Sequence, residues 1–247
     1  MALLHSFEKS GNFLFRWRGQ FPLVLVLFAI PVIYTTNIDA IPSVFKAFFT
    51  IVGISLSVAG FLVRVITIGT TPKGTSGRNT TGQVAEVLNT AGIYSVVRHP
   101  LYLGNYLMWI GIVVFTYNIY FVIIASLAYW LYYERIMFAE ERYLEKKFGA
   151  IYTNWSMNVP AFLPDLRMYL KGTVPFSIKS VLRREYSGVL ATVLCYTLID
   201  HFRFYVEWLD YDLDKTSLKV LVVTVILVFI LRSLKHYTKL LDEADRS

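Results

Sequence analysis

The strongest constraint on this chain is a set of long apolar stretches separated by segments that hold most of its charge. By hydropathy about six stretches read as membrane segments: about Phe21 to Thr36, Val44 to Ile68, Leu101 to Tyr117, Ile119 to Phe138, Gly188 to Tyr205 and Leu218 to Leu234. A run that is apolar all round stays so only when lipid or other helices surround it. The 247-residue length alone would suit one or two soluble domains. Composition argues otherwise, with 55% hydrophobic and 17% charged residues, against about 25% charged in a soluble domain. The expected fold is all-α, a polytopic transmembrane helical bundle. The third and fourth segments meet at Tyr117-Asn118, a joint so tight that they form an antiparallel hairpin. Lys46 and Arg64 lie near the ends of the second segment, where they are expected to snorkel. The first apolar run has no small-residue cleavage site after it and contains Pro31, so it reads as a retained anchor helix.

Loop charge predicts the orientation. The N-terminal segment carries Lys9, Arg16 and Arg18, and the loop after the second segment carries Lys73, Arg78 and Arg98. The segment between the fourth and fifth stretches is basic throughout, whereas the loop before the sixth is acidic, with Glu207, Asp210, Asp212 and Asp214. The alternation predicts a multi-pass integral membrane protein with both termini cytoplasmic, in the inner membrane of a bacterium or the endoplasmic reticulum of a eukaryote. The net charge of +7 follows from these loops and argues for a membrane rather than nucleic acid as partner. The lone cysteine, Cys195, excludes an internal disulfide, and no histidines pair at metal-ligand spacing, so no metal site is expected. The Gly- and Thr-rich loop from Gly69 to Gly82 lacks the Gly-Lys-Ser/Thr ending of a phosphate loop. It reads either as a surface loop or as a lid.

Two polar motifs lie at the two ends of the hairpin. One runs from Gly92 through Tyr94, Arg98-His99-Pro100, Tyr102 and Gly104 to Asn105, and the other from Glu134-Arg135 through Glu140-Glu141-Arg142 and Glu145 to Phe148 and Tyr152. Because the chain crosses and returns, both emerge on one face. Pro100 suits a first helical turn, and the free N–H groups behind it make an anion site together with Arg98 and His99. Glu140 and Glu141 make a cation site, and Glu134 lies one face-repeat before Glu141. An anion site beside a cation site suits a zwitterion. A purely structural ion-pair lattice on a solvated helix fits the same pattern.

At these residues the chain resembles the superfamily of isoprenylcysteine carboxyl methyltransferases and phospholipid methyltransferases. The resemblance spans about Gly92 to Pro164 and rests on Arg98-His99-Pro100-x-Tyr102-x-Gly104, on Glu140-Glu141-x-x-Leu144-x-x-x-Phe148-Gly149-x-x-Tyr152, and on Val159-Pro160-Ala161-Phe162-Leu163-Pro164. It implies a membrane methyltransferase that uses S-adenosylmethionine. The cofactor would be lined by His99, Tyr102 and Gly104 with Arg98 beside them, held by Glu140 and Glu141 and walled by Tyr94, Phe148 and Tyr152. Arg142 and Arg135 are further candidates for the chemistry, with Arg135 facing the acceptor. The chain departs from the pattern at Ala161, where many prokaryotic members carry a basic residue, and in its continuation past Pro164. Residues 1–164 thus read as the methyltransferase core, and 165–247 as a basic cytoplasmic loop plus two additional transmembrane helices.

Methyl transfer from a sulfonium is an in-line displacement with a neutral leaving group, so the protein must align the acceptor and exclude water. An anionic acceptor needs no base, whereas an amine must lose a proton, for which Glu134 or Glu141 is available. The basic stretch from Arg167 to Arg184 reads as a consequence of topology or as recognition of an anionic head group by Arg183 and Arg184. The expected reaction is O-methylation of a carboxylate or phosphate on a lipid or lipidated acceptor, with N-methylation of a phospholipid amine as the alternative. A non-catalytic membrane scaffold or a small transporter is the alternative of another class. Against transport, the first, third and sixth segments carry almost no ionisable group at mid-depth, and Asp200 and His201 lie toward the acidic end.

Overall fold

In a computed structural model the chain is a bundle of helices; the described residues are 2–72 and 83–243. The helices are α1 (Ala2–Trp17), α2 (Phe21–Thr35), α3 (Ser43–Thr70), α4 (Pro100–Val114), α5 (Ile119–Phe148), α6 (Ala150–Ser156), α7 (Ile178–Trp208) and α8 (Thr216–Tyr237). Short 3-10 turns occupy Ile93–Ser95 and Leu166–Met168, and one isolated bridge joins Gly92 to Leu170. Helices α3, α5, α7 and α8 are long and apolar enough to cross a membrane, and α2 and α4 are shorter apolar helices. The protein is an all-α membrane protein. The glycine-rich loop read as a lid, with Gly74, Gly77, Gly82, Lys73 and Arg78, lies largely outside the described residues.

Helices α3 and α4 lie closest to each other, and glycines allow it. A Cβ on Gly60 would stand 2.5 Å from the Gly104 carbonyl oxygen, and one on Gly53 2.7 Å from that of Gly111. Small residues at such seams let backbones approach in lipid, where no hydrophobic drive pairs helices. The hairpin follows from the joint at Tyr117-Asn118. Tyr117 has φ 64°, and the Asn118 side chain caps α5 by accepting from the Phe121 N–H at 3.0 Å.

The polar ends of the helices extend past the apolar windows. Helix α5 continues through Glu140 to Phe148, and α7 begins at Ile178, ten residues before its apolar stretch, capped by Ser177. Arg183 and Arg184 therefore belong to a helix rather than to a loop; hydropathy sees only where a helix is greasy, not where it starts. Helix α1 packs along the polar half of α5, where Gly11 lies against the Arg135 carbonyl and Tyr132 donates to the Leu14 carbonyl at 3.0 Å.

Arg64 does not snorkel. Its Nε and Nη2 donate to the two carboxylate oxygens of Glu185 on α7, both at 2.7 Å, and its Nη1 reaches the Asn105 amide oxygen on α4. At the opposite end Lys46 pairs with Glu207 at 3.0 Å, and Asp200 is neutralised by Arg203, Lys215 and Ser217.

Candidate active site

The segment before α4 is held open as a shelf by the stretch that closes the second motif. The Arg98 N–H donates to the Pro160 carbonyl at 2.9 Å, the His99 N–H to Ala161 at 3.2 Å, and the Asp165 N–H to Val96 at 2.9 Å. The role of Val159 to Pro164 is thus mainly backbone pairing, to which the side chain at Ala161 is indifferent. Phe162 seats the strip by packing edge-on against Tyr106 and Trp130, each at 5.7 Å.

That shelf presents Arg98 and His99 to α5. His99 is buried, with its Nε2 2.9 Å from Glu141 Oε1 and its Nδ1 3.6 Å from Glu140 Oε2. Arg98 Nη1 lies 3.4 Å from Glu141 Oε2. Burial alone would depress the imidazole, but hydrogen bonds to Glu140 and Glu141 and their charges outweigh it and raise His99 above the ordinary histidine value. The imidazole stacks on Tyr102 (centroids 5.5 Å apart), Tyr102 leans on Tyr133 (5.1 Å), and Tyr133 stacks on Tyr129 (4.1 Å). The Tyr129 hydroxyl donates to the Tyr102 carbonyl at 2.7 Å. This aromatic column fixes the ring.

Two cavities flank the cluster, and Tyr94, Arg98, His99 and Glu140 line both. The outer one has Tyr143, Leu144, Tyr152 and Trp155 among its walls. There, among the described residues, the Arg98 Nε, the Tyr152 hydroxyl and the Trp155 indole N–H are buried without a hydrogen-bond partner. Buried polar groups are rarely left so, and three around one cavity are groups that a polar ligand there would satisfy. Burial, with the charge of Glu140 next, pushes the Tyr94 phenol up to about 12, so it is a neutral donor. The inner cavity lies between α1, α3, α4 and α7, with Arg18, Arg64, Asn105, Arg184 and Glu185 in its walls.

Of the residues the sequence singles out, Tyr94, Arg98, His99, Tyr102, Glu140, Glu141 and Tyr152 converge here. Gly104 instead abuts Gly60 in the α3–α4 seam, and Phe148 lies at the end of α5 with Lys147 5.8 Å over its ring. Glu134, Arg135 and Arg142 line neither cavity. The phase of α5 separates them: Tyr133, Met137, Glu140 and Leu144 face inward, whereas Arg135 turns to α1, 4.9 Å from the Phe7 ring. Glu134 is exposed, and Arg142 pairs with Glu145 at 2.5 Å. Arg184 lines the inner cavity, while its neighbour Arg183 pairs with Asp242 at 2.7 Å. Sequence reasoning missed Arg18, Arg64, Glu185 and Trp155. Arg64, a charge within an apolar helix, carried the signal that it needs a partner; Glu185, in the polar first turns of α7, carried none.

The chain is similar to known proteins over part of its length. The phospholipid methyltransferase family matches residues 48–151. The cobalt-zinc-cadmium resistance protein CzcN of Cupriavidus metallidurans is 33% identical over 36% of this chain and 40% of its own length. The protein-S-isoprenylcysteine O-methyltransferase of Schizosaccharomyces pombe is 33% identical over 32% of this chain and 33% of its own length. The corresponding enzyme B of Arabidopsis thaliana is 37% identical over 31% of this chain and 39% of its own length. The chain thus spans well under half the length of the curated relatives it matches. No solved structure matches it. The hairpin of α4 and α5 lies within the stretch that resembles the phospholipid methyltransferase family, and the likeness to the protein-S-isoprenylcysteine O-methyltransferases covers about a third of the chain.

Proposed function

We propose that the protein is an integral membrane methyltransferase that uses S-adenosylmethionine to methylate an anionic oxygen, carboxylate or phosphate, on a lipid or lipidated acceptor. The observation that carries this reading is the cluster of half-buried Arg98, Glu140 and Glu141 around the buried His99, with Arg98, His99 and Glu140 lining two cavities.

The residues fit the cofactor. Its amino-acid end needs a cation for its carboxylate and a carboxylate for its ammonium, which Arg98 and the Glu140–Glu141 pair supply. Its adenosine end needs flat apolar walls with a few polar atoms, which the outer cavity offers in Tyr143, Leu144, Tyr152 and Trp155, two of them with buried polar atoms lacking partners. When bound, the cofactor supplies a methyl group on a sulfonium. His99, set between two carboxylates that raise its pKa and stacked on Tyr102, fixes the positions of Glu140 and Glu141. Tyr94 stays protonated and acts as a hydrogen-bond donor at the junction of the cavities. An anionic acceptor brings its own nucleophilic pair, so no side chain has to remove a proton; the protein's work is orientation and exclusion of water. The basic end of the bundle is cytoplasmic in this reading, with both termini there, by the positive-inside bias.

Calorimetric titration of the purified protein with S-adenosylhomocysteine tests the reading directly. Wild type binds, and His99→Ala and Glu141→Ala weaken binding by about tenfold or more. Absence of binding by the wild type sinks the enzymatic reading. With methyl-labelled cofactor and membranes, label released as methanol by base identifies a carboxyl methyl ester, whereas base-stable label is a methyl phosphodiester or an amine, which phosphodiesterase cleavage tells apart.

A further inference from the structure

At the end of the bundle opposite His99, a groove of about 610 Å³ runs between α3, α4, α7 and α8, where α8 packs chiefly on α7. Met108 and Phe115 lie along it, and Ile54, Val58 and Val220 in its walls are exposed, so it opens sideways to the lipid around the helices. Hydroxyls in its walls already have partners. Ser57 donates to the Met108 carbonyl at 2.8 Å, Tyr196 pairs with Ser57 at 2.9 Å, and Tyr117 pairs with Thr50 at 2.8 Å. Such a wall suits hydrocarbon better than water. From Val189 to Arg203 the groove follows α7 for about 21 Å, a length that an acyl chain can fill.

One end of the groove is charged. Arg203 lines it, is 7% exposed, and lies 3.8 and 4.0 Å from the ring centres of Phe115 and Tyr117. Its Nη1 donates to the Phe115 carbonyl at 2.6 Å and its Nη2 lies 3.3 Å from Asp200 Oδ1. Its Nε is buried with no hydrogen-bond partner among the described residues. Asp200 is held more closely by Lys215 at 3.1 Å and by the Ser217 hydroxyl at 2.7 Å. At the same end Glu207 pairs with Lys46 and Asp214 with Lys219. Asp210 and Asp212, in the loop between α7 and α8, accept from the N–H groups of Tyr211 and Asp214. Arg203 and Lys215 thus share one carboxylate, and a positive charge in excess at this depth is costly unless an anion meets it.

We infer that this groove binds a phospholipid of the adjoining leaflet, with one acyl chain between α3, α7 and α8 and its phosphate at Arg203. One phosphodiester matches the single positive charge in excess, and the chain matches the dry wall. Helix α8 is then joined to α3 through the lipid, which makes the lipid a part of the bundle. Among the described residues the groove shares no wall residue with either cavity beside His99, so its occupancy is independent of the methyltransferase reading.

Native mass spectrometry of the full chain, released from nonionic micelles, tests this with four probes: dioleoyl phosphatidylglycerol, dioleoyl phosphatidylethanolamine, dioleoylglycerol and oleate. Both phospholipids bind roughly tenfold or more tighter than dioleoylglycerol, as expected for a hydrogen bond to a charged group. Arg203→Gln and Lys215→Gln, each of which removes the excess charge, bring the phospholipids to within about threefold of dioleoylglycerol. Asp200→Asn leaves both cations without a carboxylate and tightens phospholipid binding by about tenfold; a merely structural cluster would lose affinity instead. Lys219→Gln, outside the groove, stays within about twofold of wild type. Val58→Trp fills the groove and weakens the phospholipids and dioleoylglycerol alike by roughly tenfold. Val222→Trp, exposed on α8 outside the groove, leaves binding as in wild type. If circular dichroism shows that Arg203→Gln does not fold, Lys215→Gln and Asp200→Asn decide. Failure of either phospholipid to exceed dioleoylglycerol overturns the proposal, as does weaker binding by Asp200→Asn or wild-type binding by Val58→Trp. Tighter binding of oleate than of the phospholipids overturns the choice of occupant.

Discussion

Removal of Glu185 should be among the most damaging single changes in the bundle. The carboxylate accepts two hydrogen bonds from Arg64, both at 2.7 Å, and the two side chains are 3% and 18% exposed. Glu185→Ala leaves a guanidinium at the inner cavity with only Asn105 as partner, and breaking a buried pair in this way costs about 3–5 kcal/mol. Replacing both members with apolar groups of similar volume, Arg64→Met with Glu185→Leu, removes the desolvation penalty too. It leaves stability near wild type or raises it by about 1–4 kcal/mol. The cycle built from Arg64→Met, Glu185→Leu and the two together therefore shows a coupling of at least about 3 kcal/mol. The assay is reversible unfolding in mixed micelles with increasing dodecyl sulfate, followed by circular dichroism. A loss below about 1 kcal/mol for Glu185→Ala is the value of a solvated surface pair. It would refute the docking of α7 on α3 through this contact.

Three further outcomes follow from the geometry. Glu141→Gln, which keeps the shape but loses the charge facing Arg98 and His99, lowers S-adenosylhomocysteine affinity about tenfold by calorimetry without changing the helical circular dichroism. His99 is held above its ordinary value of about 6.5, so its stabilising contribution is complete below that pH and fades as pH rises through the elevated value. Melting temperature therefore falls as pH rises from about 6.5 through the elevated value, and the fall is shallower in Glu141→Gln; an identical slope in the two proteins contradicts the assignment. Gly60→Leu, whose Cβ would meet the Gly104 carbonyl at 2.5 Å and the Met108 amide at 2.7 Å, destabilises the α3–α4 seam by about 1–3 kcal/mol or more. Gly19→Leu, with nothing within 4 Å, is the silent control.

The apolar runs placed the membrane helices and the Tyr117-Asn118 joint placed the hairpin, because both are statements about local composition and chain length. The convergence of His99 with Glu141 was legible for the same reason, since two ends of one hairpin must meet. What the sequence hid was rotation. Whether Glu134 or Glu140 faces inward depends on the phase of α5 against its neighbours, and that is set by the aromatic column under His99 and by α1 on the other flank. The partner of Arg64 lies 121 positions away, and no local rule pairs them. Gly104 looked like a residue making room for a ligand; it makes room for another helix.

Helix α4 has 15 residues, about 22 Å at 1.5 Å per residue, and it is welded to α3 along the glycine seam. A bilayer's hydrocarbon layer is about 30 Å thick. The shortfall cannot be absorbed by sliding α4 along α3, because the seam has no slack. Either the leaflet dimples around the hairpin or His99 rests several residues' length below the plane of the lipid phosphates. Both put the His99 cluster at the depth where an amphiphile's head meets its chain. The thickness of the host membrane, through the length of its acyl chains, then becomes a control on how deep that cluster sits, one that involves no change in any side chain.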